Sequence, residues 1–236
     1  MFSSNSEIRY TLIVAAAGVG KRMGLSYPKQ FLEHNGKPLF INVLERGESS
    51  KFITDIIVVT GKELIPEVTY LCEKFRISKA KNIIEGGKER QNSIYNTLKF
   101  CARNSLIAVQ DGVRPFFKEK YLEDAFNELK NNSEIDGVVI GVPVKDTIKI
   151  VDEKGIIVST PVRATLMAAQ TPQVFRGDIL IDAYEKAQEE NFIGTDDSSL
   201  VERYNGRVKI LTGDYGNIKI TTIEDISFLK QEAEVK

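Results

Sequence analysis

The sequence predicts an α/β fold, a mainly parallel twisted sheet with helices on both faces. Three observations predict it. Residues 10–16, YTLIVAA, form a short apolar, β-branched run ending in small residues, the pattern of a strand buried on both faces that feeds straight into a loop. Runs of this kind then alternate four times with segments of helical texture, the order expected of βαβ units with right-handed crossovers. At 236 residues, with 42% hydrophobic and 28% charged side chains, the chain is large enough to bury such a sheet and too apolar for disorder.

The elements follow in order. A helix is predicted over 38–46, opened by Pro38, whose fixed φ and missing N–H suit a first turn. Residues 55–60, DIIVVT, are the second strand and 66–75 the second helix, again opened by proline. A third strand over 81–85, a helix over 90–101, a fourth strand over 106–110, a helix over 118–131 and a fifth strand over 137–142 continue the alternation. After Pro143 the texture changes. Residues 147–151 and 156–160 alternate and flank Asp152-Glu-Lys-Gly155, a turn sequence, so a hairpin arm projects at about 143–160. Helices over 176–190 and 197–204, a strand over 207–211 and a closing helix over 222–234 complete the chain. His34 precedes Asn35-Gly36, a tight hairpin turn, and is assigned no chemistry. With no repeat or low-complexity tract, residues 1–236 are read as a single domain of Rossmann-like layout carrying that β-arm.

Composition excludes several classes of function. The 32 Lys+Arg against 33 Asp+Glu leave a net charge of −1, so no global basic field recruits nucleic acid or an anionic membrane. Two cysteines, Cys72 and Cys101, fit a reducing compartment and offer no CxxC motif, and a single histidine excludes a His-rich metal site. The N-terminus lacks a positive region, and the apolar stretch at 10–17 is too short for a signal peptide or a membrane span, so a soluble, cytoplasmic protein is expected.

The loop after the first strand, Ala15-Ala-Ala-Gly18-Val-Gly20-Lys21-Arg22-Met23-Gly24, is built of small residues that let backbone N–H groups approach an anion closely. It lies at the carboxyl end of a parallel strand, where ligands bind in such sheets. A dinucleotide fingerprint started at Gly18 needs a small residue where Met23 stands, and a Walker loop needs glycine and a hydroxyl where Ala15 and Arg22 stand. The loop instead carries Lys21, Arg22 and then Lys29, cations suited to a polyphosphate whose charge rises in the transition state; alone they would equally suit a solvated basic loop.

The run AAGVGKRMG followed by PKQFL resembles the nucleotidyltransferases that activate sugar and polyol phosphates, and above all the 2-C-methyl-D-erythritol 4-phosphate cytidylyltransferases. The other blocks are similar and in the same order: Gly86-Gly87-Lys-Glu-Arg90-Gln-Asn-Ser93, Asp111-Gly-Val-Arg114-Pro115, Pro143-Val-Lys-Asp146-Thr147, Arg163 with Gln170-Thr171-Pro172-Gln173, Thr195-Asp196-Asp197 with Glu202, and Asn217-Ile-Lys219-Ile-Thr221. The resemblance implies a sheet of nucleotide-diphospho-sugar transferase type, CTP and a polyol phosphate as substrates, Mg²⁺ as cofactor, and a homodimer in which each arm completes the partner's site. It implies transfer of CMP with release of pyrophosphate in non-mevalonate isoprenoid synthesis. Such a reaction needs no side-chain base, because a phosphate monoester with a second pKa of about 6 is already ionised at neutral pH.

By the same resemblance, Arg22 and Lys29 would stabilise the α-phosphate, while Arg163 and Lys219 would aim the attacking phosphate. Ala16, Ala17, Gly18, Gly20, Gly87, Ser93 and Gly112 would contact the nucleotide. Asp111 would lie near the metal and the substrate hydroxyls, with Arg114, Thr147 and Thr171 as further substrate contacts. Lys219 alternates with Ile218 and Ile220 and so points away from the face they bury, and Thr195-Asp196-Asp197 with Glu202 reads as a helix N-terminus with acids at its positive end. Gln110, Gly112 and Val113 depart from the family's usual letters around the aspartate. Val113 and Phe116 are similar to the ribitol 5-phosphate cytidylyltransferases of teichoic acid synthesis, whereas the first loop, the Pro143 block and the Thr195 block look like the methylerythritol enzymes. A non-catalytic nucleotide-binding regulatory domain is the third reading; four cations placed for turnover argue against it.

Overall fold

In the computed structural model, which describes residues 8–18 and 27–229, β1 (Tyr10–Ala16) has Leu12, Ile13 and Val14 all fully buried, since helices cover both of its faces. β2 (Glu33–His34) and β3 (Lys37–Pro38) form a small hairpin. Asn35 and Gly36 both take positive φ, 52° and 71°, as a two-residue primed turn requires. α1 (Leu39–Ser49) follows, with Pro38 at its N-cap. The alternation then runs through β4 (Asp55–Thr60), α2 (Ile65–Lys74), β5 (Ala80–Glu85), α3 (Arg90–Leu98), β6 (Leu106–Asp111), α4 (Glu119–Asn131) and β7 (Gly137–Pro143). The arm is an antiparallel hairpin of β8 (Ile150–Val151) and β9 (Ile157–Ser159), its turn closed by Asp152, whose Oδ1 accepts from the N–H groups of Lys154 and Ile156 at 2.9 Å. β10 (Met167–Arg176), α5 (Gly177–Glu189), α6 (Asp197–Arg203) and β11 (Val208–Thr212) complete the elements. Of the closing helix predicted at 222–234, residues 226–229 are helical, and those from 230 lie outside the described residues.

The seven-stranded sheet has the order β11-β7-β10-β6-β1-β4-β5. It is parallel except at β10, which runs antiparallel to both β6 and β7. No strand is predicted there from the sequence, because MAAQTPQVFR lacks the β-branched alternation and contains Pro172, which cannot donate to a ladder. The register with β7 breaks between Ala169 and Gln173, and that break accommodates the proline.

Alternate residues of each central strand feed two cores. Leu12, Val14, Ile56 and Val58 pack with Phe40, Leu44 and Leu122 under α1, α2 and α4. Ile13, Ile57, Val59 and Val109 pack with Ile94, Leu180 and Leu200 under α3, α5 and α6. The chain leaves β1 for β4 and β5, then returns to place β6 on the other side of β1. The carboxyl ends of β1 and β6 therefore face the crevice of a topological switch, the general ligand position in open α/β sheets.

β10 depends on Phe175, fully buried, whose ring lies where a side chain on Gly137 would stand. Phe175→Ala is expected to lower unfolding free energy by about 3–5 kcal/mol in urea. A loss below about 1 kcal/mol would show that β10 is not packed as described.

Candidate active site

Asp111 ends β6 with its carboxyl group buried among three cations. Its Oδ2 pairs with Lys219 Nζ at 2.9 Å and Arg114 Nε at 3.3 Å, and its Oδ1 is faced by Arg90 Nε at 3.8 Å. Burial alone would raise the pKa; the charges of Lys219, Arg90 and Arg114 outweigh it and hold the group at about 2. Its backbone N–H donates to Thr171 Oγ1 at 3.1 Å, so β10 pins β6 at this point.

Lys219 is delivered by a strapped segment. Asn217, almost fully buried, donates from Nδ2 to Gln170 Oε1 at 3.0 Å and to the Thr171 carbonyl at 2.9 Å, and its own carbonyl accepts from Arg114 Nη1 at 2.7 Å. Ile220 is buried with Leu32, Leu39 and Val113, so Lys219 is turned to the opposite side, as its alternation with the isoleucines requires.

Across the crevice, Gln30 donates to the Ala16 carbonyl at 2.6 Å and fixes the end of β1, placing Lys29, in the 3₁₀ turn Lys29–Phe31, beside it. At the start of α3 the Gly87 N–H donates to Ser93 Oγ at 3.0 Å, and Ser93 Oγ donates to the Glu89 carbonyl at 3.0 Å. A Cβ on Gly87 would stand 2.4 Å from Asn92 Cβ, so only glycine allows this turn. Gly112 also sits close to β1, where a Cβ would meet the Ala15 carbonyl oxygen at 2.9 Å.

These groups enclose a cavity of about 240 Å³ lined by the 15–18 segment, the Lys29–Gln30 turn, residues 87–90, Ser93, Asp111, Val113 and Lys219. Lys29, Lys88, Arg90 and Lys219 against Glu89 and Asp111 leave its described wall two charges positive, suited to an anion. Of the sequence-predicted residues, Ala16, Ala17, Gly18, Lys29, Gly87, Ser93, Asp111 and Lys219 meet here. Gly112, Arg114 and Thr171 lie behind the wall as supports of Ala15 and Asp111 rather than in it. Gly20 and Arg22, with Lys21, lie outside the described residues. Thr147 is exposed on the arm and Arg163 is exposed in the short 3₁₀ turn just after it, its Nη1 donating to the Lys145 carbonyl at the arm's base at 2.9 Å.

From the sequence, Arg90, Gln30 and Asn217 have no assigned role, and Asp197 stands as an acid at a helix N-terminus. Arg90 stands in the Gly86-Gly87 block at the first residue of a helix leaving a strand, a position that could have flagged it. Asp196 caps α6 as expected, its Oδ1 accepting from the Ser199 N–H at 2.9 Å. Asp197 is instead fully buried against Arg90, which helix-end logic does not foresee.

Asp111 and Glu89 are the carboxylates of the cavity wall, and among the described residues no group of three or more His, Cys, Asp or Glu could hold a metal ion. Mg²⁺ keeps several waters and takes one or two carboxylates together with substrate phosphates, so an ionised Asp111 fits such an ion when a polyphosphate is bound beside it.

The sequence model of the 2-C-methyl-D-erythritol 4-phosphate cytidylyltransferase (IspD) family matches residues 10–234. The chain belongs to that family. A relative of that name from Fusobacterium nucleatum is 50% identical over 233 residues, 98% of this chain and 100% of its own, and one from Geotalea uraniireducens is 43% identical over 94% and 97%. Among solved structures, a 4-diphosphocytidyl-2C-methyl-D-erythritol synthase from Anaerococcus prevotii superposes with a TM-score of 0.83 at 32% identity over 97% of both chains. The cytidylyltransferase of Francisella tularensis gives 0.81 at 26% identity over 95% of this chain and 99% of its own.

Because the Asp111 pKa is depressed below its unfolded value, the stability it contributes is present above about pH 4 and lost as pH falls toward 2. In Lys219→Met, the Asp111 carboxyl titration followed by ¹³C NMR is expected to move up from about 2 toward the ordinary carboxylate range. An unmoved titration would mean that Lys219 does not hold this carboxylate.

Proposed function

We propose that this chain transfers CMP from CTP to 2-C-methyl-D-erythritol 4-phosphate, giving 4-diphosphocytidyl-2-C-methyl-D-erythritol and pyrophosphate in non-mevalonate isoprenoid biosynthesis. The observation that carries the reading is the cation-lined cavity at the β1–β6 crevice in a chain matched to the family almost end to end. The relatives do not favour ribitol phosphate transfer or a regulatory domain.

An ionised oxygen of the polyol phosphate attacks the α-phosphorus of CTP, and the bond from that phosphorus to the bridging oxygen breaks as pyrophosphate leaves. The nucleophile needs no deprotonation at neutral pH, so the work of the protein is positioning and charge neutralisation. Ala16, Ala17 and Gly18 offer a close backbone wall for the nucleotide, with Gly87 and Ser93 opposite. Lys29, with Arg22, meets the charge that grows on the α-phosphate, and Lys219, anchored on Asp111, aims the attacking phosphate. Bound Mg²⁺, held through Asp111 and the triphosphate, would neutralise phosphate charge.

Thr147 on the arm and Arg163 at its base do not line the described cavity of their own chain, and Ile150, Val151, Ile157 and Val158 of the arm are exposed apolar side chains. Both features support a homodimer in which the arm brings Arg163 and Thr147 to the partner's cavity. Cytoplasmic location is proposed with the soluble substrates; no described helix is long and apolar enough to cross a membrane.

Pyrophosphate release from CTP and Mg²⁺ is expected to favour methylerythritol 4-phosphate over ribitol 5-phosphate by at least about tenfold in kcat/KM, or about 1.4 kcal/mol. The reverse preference would transfer the chain to teichoic acid chemistry. Lys29→Ala and Arg163→Ala should each lose at least about tenfold in turnover while CTP binding to the first stays measurable. Mixed and allowed to exchange subunits, they should regain about a quarter of wild-type activity, because half of the dimers then hold one intact site. No recovery would place Arg163 in its own chain's site or remove it from the reaction.

A further inference from the structure

Arg90 is shared between two carboxylates. Its Nη1 and Nη2 fork onto Asp197 at 3.0 and 2.7 Å, while its Nε stands 3.8 Å from Asp111 Oδ1, beyond hydrogen-bond reach. Asp197 is fully buried and takes a further hydrogen bond from the Tyr184 hydroxyl, itself buried and pushed well above its ordinary pKa by burial and then by the Asp197 charge, so that it remains a donor. The carboxylate cannot drift. α6 is tied to β10 through Gln173, whose Oε1 accepts from the Ser198 N–H at 3.0 Å and whose Nε2 donates to Asp196 Oδ2 at 2.8 Å.

A buried ion pair is weak evidence of a stabilising role, because desolvation offsets most of the attraction. Its geometric consequence is sharper. The two ammonium and guanidinium partners on Asp111 Oδ2 stand at 2.9 and 3.3 Å, whereas Oδ1, the other oxygen, has its cation held back. We propose that Asp197 is a positioning residue: by occupying both Nη atoms of Arg90 it keeps the guanidinium from closing on Asp111, so that Oδ1 stays open to a hydroxyl or cation arriving with the nucleotide. This rests on the cytidylyl-transfer reading above. Asn at position 197 would present an amide N–H₂ to one arm of the fork and remove the negative charge, leaving Asp111 as the one carboxylate facing Arg90. A shift of roughly 1 Å would then close the gap to hydrogen-bond length.

The test compares wild type, Asp197→Asn, Tyr184→Phe and the double variant Arg90→Gln/Asp197→Asn, with folding followed by circular dichroism and thermal unfolding. CTP affinity with Mg²⁺ is measured by calorimetry and kcat/KM by pyrophosphate release. Asp197→Asn is expected to lose about tenfold or more in both, the size usual for a residue supporting a first contact, and removing Arg90 in that background should recover at least about threefold. A purely structural ion pair would give the opposite pattern: lowered thermal stability, unchanged kinetics per folded molecule, and no recovery in the double variant. Either unchanged kinetics in Asp197→Asn or the absence of recovery overturns the proposal. If Asp197→Asn does not fold, Tyr184→Phe loosens the same anchor, and unchanged kcat/KM there overturns it as well. A wild-type protein that binds CTP yet transfers nothing to methylerythritol phosphate would overturn the functional reading instead, and the calorimetric comparison would still decide the role of Asp197.

Discussion

The buried carboxylate of Asp111 is the constraint around which the site is arranged. A carboxyl group in that position stays ionised only if cations reach it, and among the described residues the three that do come from different parts of the chain: Arg90 from the start of α3, Arg114 from the turn after β6, and Lys219 from the segment strapped beneath it. One charge therefore ties the strand, the helix and the late segment together. Removing a partner from such a cluster leaves buried charge uncompensated, typically at a cost of about 3–5 kcal/mol, so the geometry of the cavity and the stability of the central strand β6 are linked.

That arrangement accounts for how a chain with a single histidine performs group transfer. His34 is buried in the β2–β3 hairpin, its Nδ1 3.1 Å from the Leu229 carbonyl oxygen, and is remote in role from the cavity. In the proposed reaction both reactants arrive as anions, so the barrier lies in bringing negative charge onto negative charge. A cavity wall whose described residues are two charges positive addresses that problem directly.

The parallel core was legible in the sequence because β1, β4 and β6 are buried on both faces and so carry unbroken apolar runs. β10 was not, since small residues and Pro172 hide a strand whose burial is supplied by its neighbours β6 and β7. That the glycine-rich loop, Lys29, Gly87, Ser93, Asp111 and Lys219 gather at one place was also legible, through the motif blocks of the family resemblance, and these residues line one cavity. Asp197 was hidden by an adequate local explanation, because an acid at a helix start needs no tertiary partner to make sense. Arg114 and Thr171 were expected as substrate contacts, whereas their contacts in the fold are with Asp111 and the chain around it, a distinction that depends on three-dimensional packing.

The proposed reaction requires that the nucleotide occupy the β1–β6 crevice. Its most direct test is an amide NMR titration of the labelled protein with CTP and Mg²⁺. The largest shifts are expected on Ala16, Ala17, Gly18, Gly87, Ser93 and Asp111, with Asn127 and Thr212 in the groove between α4 and β11 unmoved. Shifts centred on that groove, or none in the crevice at saturating CTP, would contradict it.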